Sequence, residues 1–239
     1  MIIGVIPARY GSTRLKGKPL IDIKGKTLIQ RVYERVKKCK HLDELIVATD
    51  DDRIYNTTKG FGANVVMTSK ECKSGTDRVA EVAIKIGRNS DIFINIQGDE
   101  PLISPSVIDK LAYSLKEDKK LNMATAACPL VNDSDFNDPN IVKVVLNTKG
   151  YALYFSRSPI PFYRAEGFVK PLKHMGIYAY RKSFLLKFLK LKQSPLEKTE
   201  SLEQLRVIEN GYSIKVIISN EDSLGVDTPE DIERVKGLL

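Results

Sequence analysis

The chain opens on a run without a charge, Ile2 to Ile6. It stops at Pro7 and gives way to Ala8-Arg9-Tyr10-Gly11-Ser12-Thr13-Arg14-Leu15-Lys16-Gly17-Lys18-Pro19-Leu20. A short, β-branched, uncharged run reads as a strand buried on both faces, the habit of a parallel sheet. The segment behind it places four cations among two glycines and two hydroxyls. Glycine lets backbone amides turn toward a ligand with no Cβ in the way. Amides combined with Arg and Lys make a concave anion site, and the most economical ligand for it is a nucleoside triphosphate. A solvated basic loop has the same composition. Position decides for binding, because open α/β sheets take their ligands just beyond the carboxyl ends of strands.

At 239 residues the chain suits one large α/β domain, or a domain carrying an insert. Its 42% hydrophobic and 28% charged residues are ordinary for a globular protein. No apolar run approaches the roughly 20 residues that cross a bilayer, and Ile2 to Ile6 is too short for a signal-peptide core. The expectation is a cytoplasmic protein with no membrane partner. Cys39, Cys72 and Cys128 are scattered without CxxC spacing, which indicates neither a disulfide framework nor a zinc site. The net charge of +8 is compatible with nucleic acid, anionic membrane or anionic small substrates. The lysines are spread along the chain, however, and aromatics do not interleave with them as a base-stacking platform requires. No nucleic-acid partner is expected.

Strand and helix alternate through the front half. Thr27 to Lys38 puts Leu28, Ile29, Val32, Tyr33 and Val36 on one helical stripe. Glu44 to Thr49, Asn64 to Met67 and Asp91 to Ile96 read as strands, and Thr76 to Ile86 as a helix. Ser104-Pro105 opens another helix as N-cap and first-turn proline. This rhythm predicts a parallel sheet with helices on both faces. After a strand at 123–130 the pattern changes. Val142 to Leu146 and Tyr151 to Phe155, joined by Asn147-Thr148-Lys149-Gly150, predict a hairpin, and His174 to Tyr180 another strand. Residues 131–185 therefore read as an antiparallel insert, with the core at 1–130 and 186–239. Helix is predicted over Glu200 to Glu209, strand over Ser213 to Ile218, and a last helix from Thr228-Pro229 with Asp231 as capping-box partner.

Two carboxylates stand out by position. Asp99 lies just past a buried strand, in Gln97-Gly98-Asp99-Glu100-Pro101, and Asp227 just ahead of the capped helix. Converging aspartates there could hold Mg²⁺ against a triphosphate, since Mg²⁺ usually takes one or two carboxylates plus phosphate oxygens. A turn aspartate and a helix-end acid are the plainer readings. Asp50-Asp51-Asp52 reads as a turn and helix N-terminus. Ser74-Gly75-Thr76-Asp77-Arg78 fits either a helix cap or contact with a base or ribose. His174 alone reads as a core histidine, and Tyr151 to Arg157 as a strand with an exposed guanidinium. Glu203 and Gln204 face solvent or a polar ligand, and spacing does not choose.

Taken together these pieces resemble the 3-deoxy-manno-octulosonate cytidylyltransferase (CMP-Kdo synthetase) family over almost the whole length. The resemblance rests on PARYGSTRLKGKPL (7–20), ATDD (48–51), SGTDR (74–78), NIQGDEP (95–101), VKVVL with GYALYFSRSPIP (142–161), HMGIYAYR (174–181), ESLEQLR (200–206) and GVDTPED (225–231). The related family that activates sialic acid has Lys-Asn where this chain has Lys18-Pro19, and lacks the Gln-Gly-Asp-Glu-Pro and Leu-Glu-Gln-Leu-Arg stretches. Thr27, Met175 and Ala179 depart from the pattern without touching a charged group.

The resemblance implies a Rossmann-like nucleotidyltransferase core, α/β with a mostly parallel sheet, and a smaller β-rich insert used for homodimerisation and for closing the sugar site. It implies that CTP and Kdo, an anionic 2-keto-3-deoxy sugar acid, give CMP-Kdo and pyrophosphate for lipopolysaccharide biosynthesis. Lys18, Arg9, Asp99 and Asp227 are the expected catalytic residues, with Mg²⁺ on Asp99 and Asp227. Ala8, Arg9, Gly11, Ser12, Thr13, Arg14, Lys18, Ser74, Gly75, Arg78, Gln97 and Asp99 are expected on the nucleotide. Gln97, Arg157, His174, Tyr178, Glu203 and Gln204 are expected on the sugar, with Arg157 on its carboxylate. The rival readings are the same transfer to 8-amino-Kdo or a sialic-type acid, a silent nucleotide-binding protein, and a nucleic-acid-binding module.

Overall fold

A computed structural model describes residues 1–11, 15–86, 91–165 and 169–239. β1 (Ile2–Ala8) leads through a 3-10 turn (Lys18–Leu20) to a small ribbon of β2 (Asp22–Ile23) and β3 (Lys26–Thr27). Next come α1 (Leu28–Val36), β4 (Glu44–Thr49), α2 (Asp52–Gly60), β5 (Asn64–Met67), α3 (Gly75–Ile86), β6 (Ile92–Asn95), α4 (Pro105–Glu117) and β7 (Met123–Pro129). The second half holds α5 (Asp133–Asn137), β8 (Lys143–Leu146), β9 (Ala152–Ser156), β10 (Leu172–Arg181), α6 (Lys182–Phe188), α7 (Pro195–Glu200), α8 (Leu205–Glu209), β11 (Lys215–Ile218) and α9 (Pro229–Leu238).

Among the described residues, nine strands form one sheet in the order β11-β7-β10-β6-β1-β4-β5, with β8 on β10 and β9 on β8. Strands β6, β1, β4 and β5 run parallel, as do β7 and β11. Between these two groups β10 runs antiparallel to both neighbours. The α/β architecture with a mostly parallel sheet thus stands as the sequence predicts. Alternation along β1 shows why the sheet is covered on both sides. Ile2, Ile6 and Ala8 pack with α1 and α4, whereas Ile3 and Val5 pack with α3 and α6. The stripe expected on α1 is buried at all five positions, and the Thr27 side chain accepts from the Gln30 amide to cap it.

Two elements differ from the sequence reading. Within the 131–185 stretch, β8 and β9 form the expected hairpin, but β10 threads the central sheet. Insert and core therefore share a strand. The predicted helix from Glu200 to Glu209 is broken. Ser201 adopts φ 52°, ending α7, and a turn over 202–204 precedes α8. The buried Arg206 guanidinium donates to Glu197 Oε2 at 2.7 Å and locks the two short helices across that turn. Leu202 and Leu205 stay buried either way, which is why their spacing looked continuous.

Gly98 marks where the sheet gives way to the loops above it. A Cβ at this position would lie 2.8 Å from the Pro7 carbonyl oxygen, a backbone atom that cannot yield alone. Gly98→Ala is expected to cost about 1–3 kcal/mol, the usual range for forced overpacking. Urea denaturation checks this, and an unchanged midpoint would contradict the close approach.

Candidate active site

The carboxyl ends of β1 and β6 open into a cavity of about 310 Å³. Pro7, Ala8 and Arg9 form one wall, Lys18 and Pro19 a second, and Cys72 to Gly75 with Arg78 a third. Gln97, Gly98, Asp99 and Asp227 complete it. Of the lining side chains, four are cationic and two anionic. Such a surface suits a ligand carrying several negative charges.

Local geometry explains how three distant segments meet here. The Gly17 amide donates to the Tyr10 carbonyl at 2.9 Å, closing the loop after β1. Gly17 has φ 71°, and a Cβ there would press on the Tyr10 ring at 3.0 Å, so glycine suits the closure twice over. The 3-10 turn that starts immediately afterwards buries Pro19 and sends Lys18 inward. On the far side, the Val226 amide donates to the Asp99 carbonyl at 2.9 Å, clasping the two acidic loops. Asp231 Oδ2 accepts from the amides of Asp227 and Thr228 at 3.0 Å each, so the cap of α9 fixes the backbone that carries Asp227.

Lys18 Nζ is the point of convergence. It donates to Asp99 Oδ2 at 2.6 Å, to Asp227 Oδ1 at 3.0 Å and to the Val226 carbonyl at 2.9 Å. Burial pulls the Lys18 pKa down, but the adjacent aspartates outweigh it and leave the ammonium above its ordinary value. Asp99 and Asp227 therefore share one cation position. Two hard carboxylate oxygens facing one point charge fit Mg²⁺, which takes one or two carboxylates and draws its remaining ligands from phosphate and water. Among the described residues no group of three or more metal-ligating side chains occurs.

The other predicted residues fall into three groups. Ala8, Arg9, Ser74, Gly75, Arg78 and Gln97 line the cavity. Ser74 does so while capping α3, since its Oγ accepts from the Asp77 amide at 3.1 Å, so the cap reading of this segment holds and its residues also face the cavity. Arg78 is buried on an ion pair with Asp50 at 2.9 Å, and it also donates to Thr68. Asp51 caps α2. Gly11 is exposed and is not among the lining residues. Ser12, Thr13 and Arg14 lie outside the described residues.

Arg157, His174, Tyr178, Glu203 and Gln204 are not brought to the cavity wall. The last four lie behind it. Gln97 links the layers by donating to the Gly176 carbonyl, at the bulge between Met175 and Tyr178 in β10. His174 Nε2 lies 2.9 Å from Thr125 Oγ1, and its ring stands 5.5 Å from that of Tyr178. Burial pushes the His174 pKa down to about 3, which keeps the ring neutral. Burial, with the charge of Glu203 behind it, raises Tyr178. Glu203 Oε2 accepts from Thr76 Oγ1 at 2.6 Å, and Gln204 is buried. Arg157 is tied to backbone, with Nε donating to the Glu200 carbonyl at 2.7 Å and Nη1 to the Pro139 carbonyl at 2.9 Å. It is half-buried rather than exposed.

Sequence reasoning missed several participants. Pro7, Pro19, Cys72, Lys73 and Gly98 line the cavity. Asn95 closes β6 beside Gly75, with its Oδ1 buried and lacking a partner among the described residues. Lys73 had a usable signal, a cation directly ahead of a helix cap. Glu100, next to Asp99, is pushed up to about 7, by burial first and the Asp99 charge second. Burial and Glu81 raise the Cys72 thiol to about 11, which makes it a poor nucleophile.

Residues 3–217 match the family described as Cytidylyltransferase. A 3-deoxy-manno-octulosonate cytidylyltransferase from Syntrophotalea carbinolica is 50% identical, covering 100% of this chain and 98% of the relative. One of the same description from Fusobacterium nucleatum is 52% identical, covering 98% and 94%. A solved structure of CMP:2-keto-3-deoxy-manno-octonic acid synthetase complexed with CTP superposes with a TM-score of 0.94 at 44% identity, covering 99% of this chain and 97% of that one.

The neutral His174 makes stability depend on pH. In the unfolded chain this residue takes a proton near pH 6.5, whereas the folded protein resists it down to about pH 3. Its contribution is complete above pH 6.5 and is lost as pH falls through that window. Unfolding free energy between pH 6 and 4 should fall more steeply for the parent than for His174→Gln, by up to about 1.4 kcal/mol per pH unit. Equal slopes in urea titrations would contradict a buried neutral ring.

Proposed function

This chain belongs to the cytidylyltransferase family, and we propose that it transfers a cytidylyl group from CTP to 3-deoxy-D-manno-octulosonate (Kdo), giving CMP-Kdo and pyrophosphate. The observation that carries this reading is Lys18, bridged to Asp99 and Asp227 in a cationic cavity beyond the carboxyl ends of β1 and β6. The full-length relatives of the same description agree with it.

The chemical problem is to bring an anionic sugar to an anionic triphosphate. The sugar's anomeric oxygen forms a bond to the α-phosphorus, its proton is released, and the bond from that phosphorus to the bridging oxygen breaks. Arg9, Lys18 and Lys73 hold phosphate oxygens and offset the charge that builds on departing pyrophosphate. Ser74 and Gly75 carry the nucleoside on the cap of α3. Gln97 stands between the nucleotide cavity and the sugar layer of His174, Tyr178, Glu203 and Gln204, and Arg157 meets the sugar carboxylate. Asp99 and Asp227 are the residues that would hold Mg²⁺, which when bound supplies a Lewis acid that screens phosphate charge and acidifies a hydroxyl. Positioning and electrostatics do the work, and no protein nucleophile is required.

We place the enzyme in the cytoplasm as a homodimer. Free thiols at Cys39, Cys72 and Cys128 fit a reducing compartment. Val131, Leu153, Phe162 and Val169, all in the 131–185 stretch, are each more than half exposed and offer apolar surface to a second copy.

Purified protein supplied with each nucleoside triphosphate, Mg²⁺ and a panel of acid sugars tests the reading through pyrophosphate release. CTP with Kdo should be the preferred pair, in direct competition with 8-amino-Kdo and a sialic-type acid. A different preferred sugar would redirect the reading, and no release with any acid sugar would overturn it. Asp99→Ala and Asp227→Ala should each lose about 10²–10³ in rate, the usual scale for an electrostatic contact at a reacting phosphate. Turnover within about threefold of the parent in either variant would remove the metal assignment.

A further inference from the structure

We propose that Thr76 is a positioning residue for the sugar site, holding the Glu203 carboxylate from the first turn of the helix whose cap lines the nucleotide cavity. The inference rests on the proposed acid-sugar reaction and on the place of Glu203 in it. Its observation is separate. Thr76 Oγ1 donates to Glu203 Oε2 at 2.6 Å, joining positions 127 apart in the chain. Thr76 is 2% exposed. Ser74 and Gly75, immediately before it, are in the cavity wall. One hydroxyl thus spans the interval between nucleotide cap and sugar layer.

Glu203 needs such a partner. It lies in the turn between α7 and α8, outside regular helix. Its neighbours are Ser74, Thr76 and Asp77 from the start of α3, Arg206 from α8, and Tyr178 and Tyr180 from β10. Asp77 repels it. The Arg206 guanidinium attracts it but is committed to Glu197 through two hydrogen bonds. Burial raises the Glu203 pKa, and the Thr76 hydroxyl, with Ser74, pulls it back toward the ionised form. Without the Thr76 bond the carboxylate would take up a proton more readily or turn away from its present direction. A carboxylate held in one direction accepts hydroxyl hydrogens from a polyol, and a swinging one loses that preorganisation.

Thr76→Val replaces the hydroxyl with a methyl of similar shape and tests the role without opening a cavity. Relative to the parent, kcat/KM for the acid sugar should fall about ten- to a hundredfold, the worth of one hydrogen bond to a charged group, while KM for CTP stays within about twofold. The acid limb of kcat/KM for the sugar should move to higher pH, a change that a purely structural residue would not produce. Thr76→Ser should restore most of the loss. Sugar kcat/KM within about twofold of the parent in folded Thr76→Val would overturn the proposal. So would an equal loss toward CTP with an unmoved acid limb, or a serine variant no better than valine. If Thr76→Val does not fold, Thr76→Ala compared with Thr76→Ser decides by the same criteria. The parent's own turnover of CTP with the sugar tests the underlying reaction, so a failure of that reading is seen before any variant is made.

Discussion

One ammonium holds the two acidic loops of the site in register. Lys18, Asp99 and Asp227 come from the loop after the first strand, the loop after the fourth parallel-sheet strand and the cap of the last helix. Two carboxylates brought together around one point repel each other unless a cation occupies it. The Lys18 Nζ, within 3.0 Å of both, satisfies that requirement in the protein alone. Asp227 remains partly exposed, so the pair is worth modest stability and much geometry. A position that already demands positive charge is also where Asp99 and Asp227 would hold the proposed divalent ion, whose remaining ligands would be phosphate oxygens and water.

Around this point the protein separates two kinds of environment. The cavity wall carries the solvent-facing charge, with Arg9 and Lys73 exposed. Behind it lies a layer whose ionisable groups are shifted by burial. His174 is held down to about 3, and Tyr178 and Glu203 are raised. Such a layer offers hydrogen-bonding groups to the proposed polyhydroxylated sugar. Outside the cavity, Lys143 is likewise a buried ionisable group. It is fully buried, and its ammonium donates to the carbonyls of Asp138, Ile141 and Arg157 at 2.6–2.8 Å, tying down the backbone that carries Arg157.

Much of this was legible in the order of residues. The run from Ile2 to Ile6 and the cation-rich loop behind it announce a parallel strand and a loop that lines the cavity, because burial on both faces excludes charge and turning backbone demands glycine. Asp99 and Asp227 could be singled out because one follows a buried strand and the other precedes a capping box. What escaped is non-local. The break at Ser201 was hidden because Leu202 and Leu205 have the same spacing in one helix or in two. The place of β10 between β6 and β7 depends on strand order, which no local pattern encodes. Lys143 in Val-Lys-Val-Val looks solvent-facing until its three carbonyl partners are seen. The contact of Thr76 with Glu203 spans half the chain, and the helix-cap chemistry of Ser74 masked it.

Crystals grown with CTP and Mn²⁺, measured at the manganese edge, show directly where a cation and a nucleotide settle. The predicted result is an anomalous peak bound by carboxylate oxygens of Asp99 and Asp227, with the triphosphate against Arg9 and Lys18 and the nucleoside on the cap of α3. A peak away from both aspartates, or the nucleotide seated outside this cavity, would contradict it.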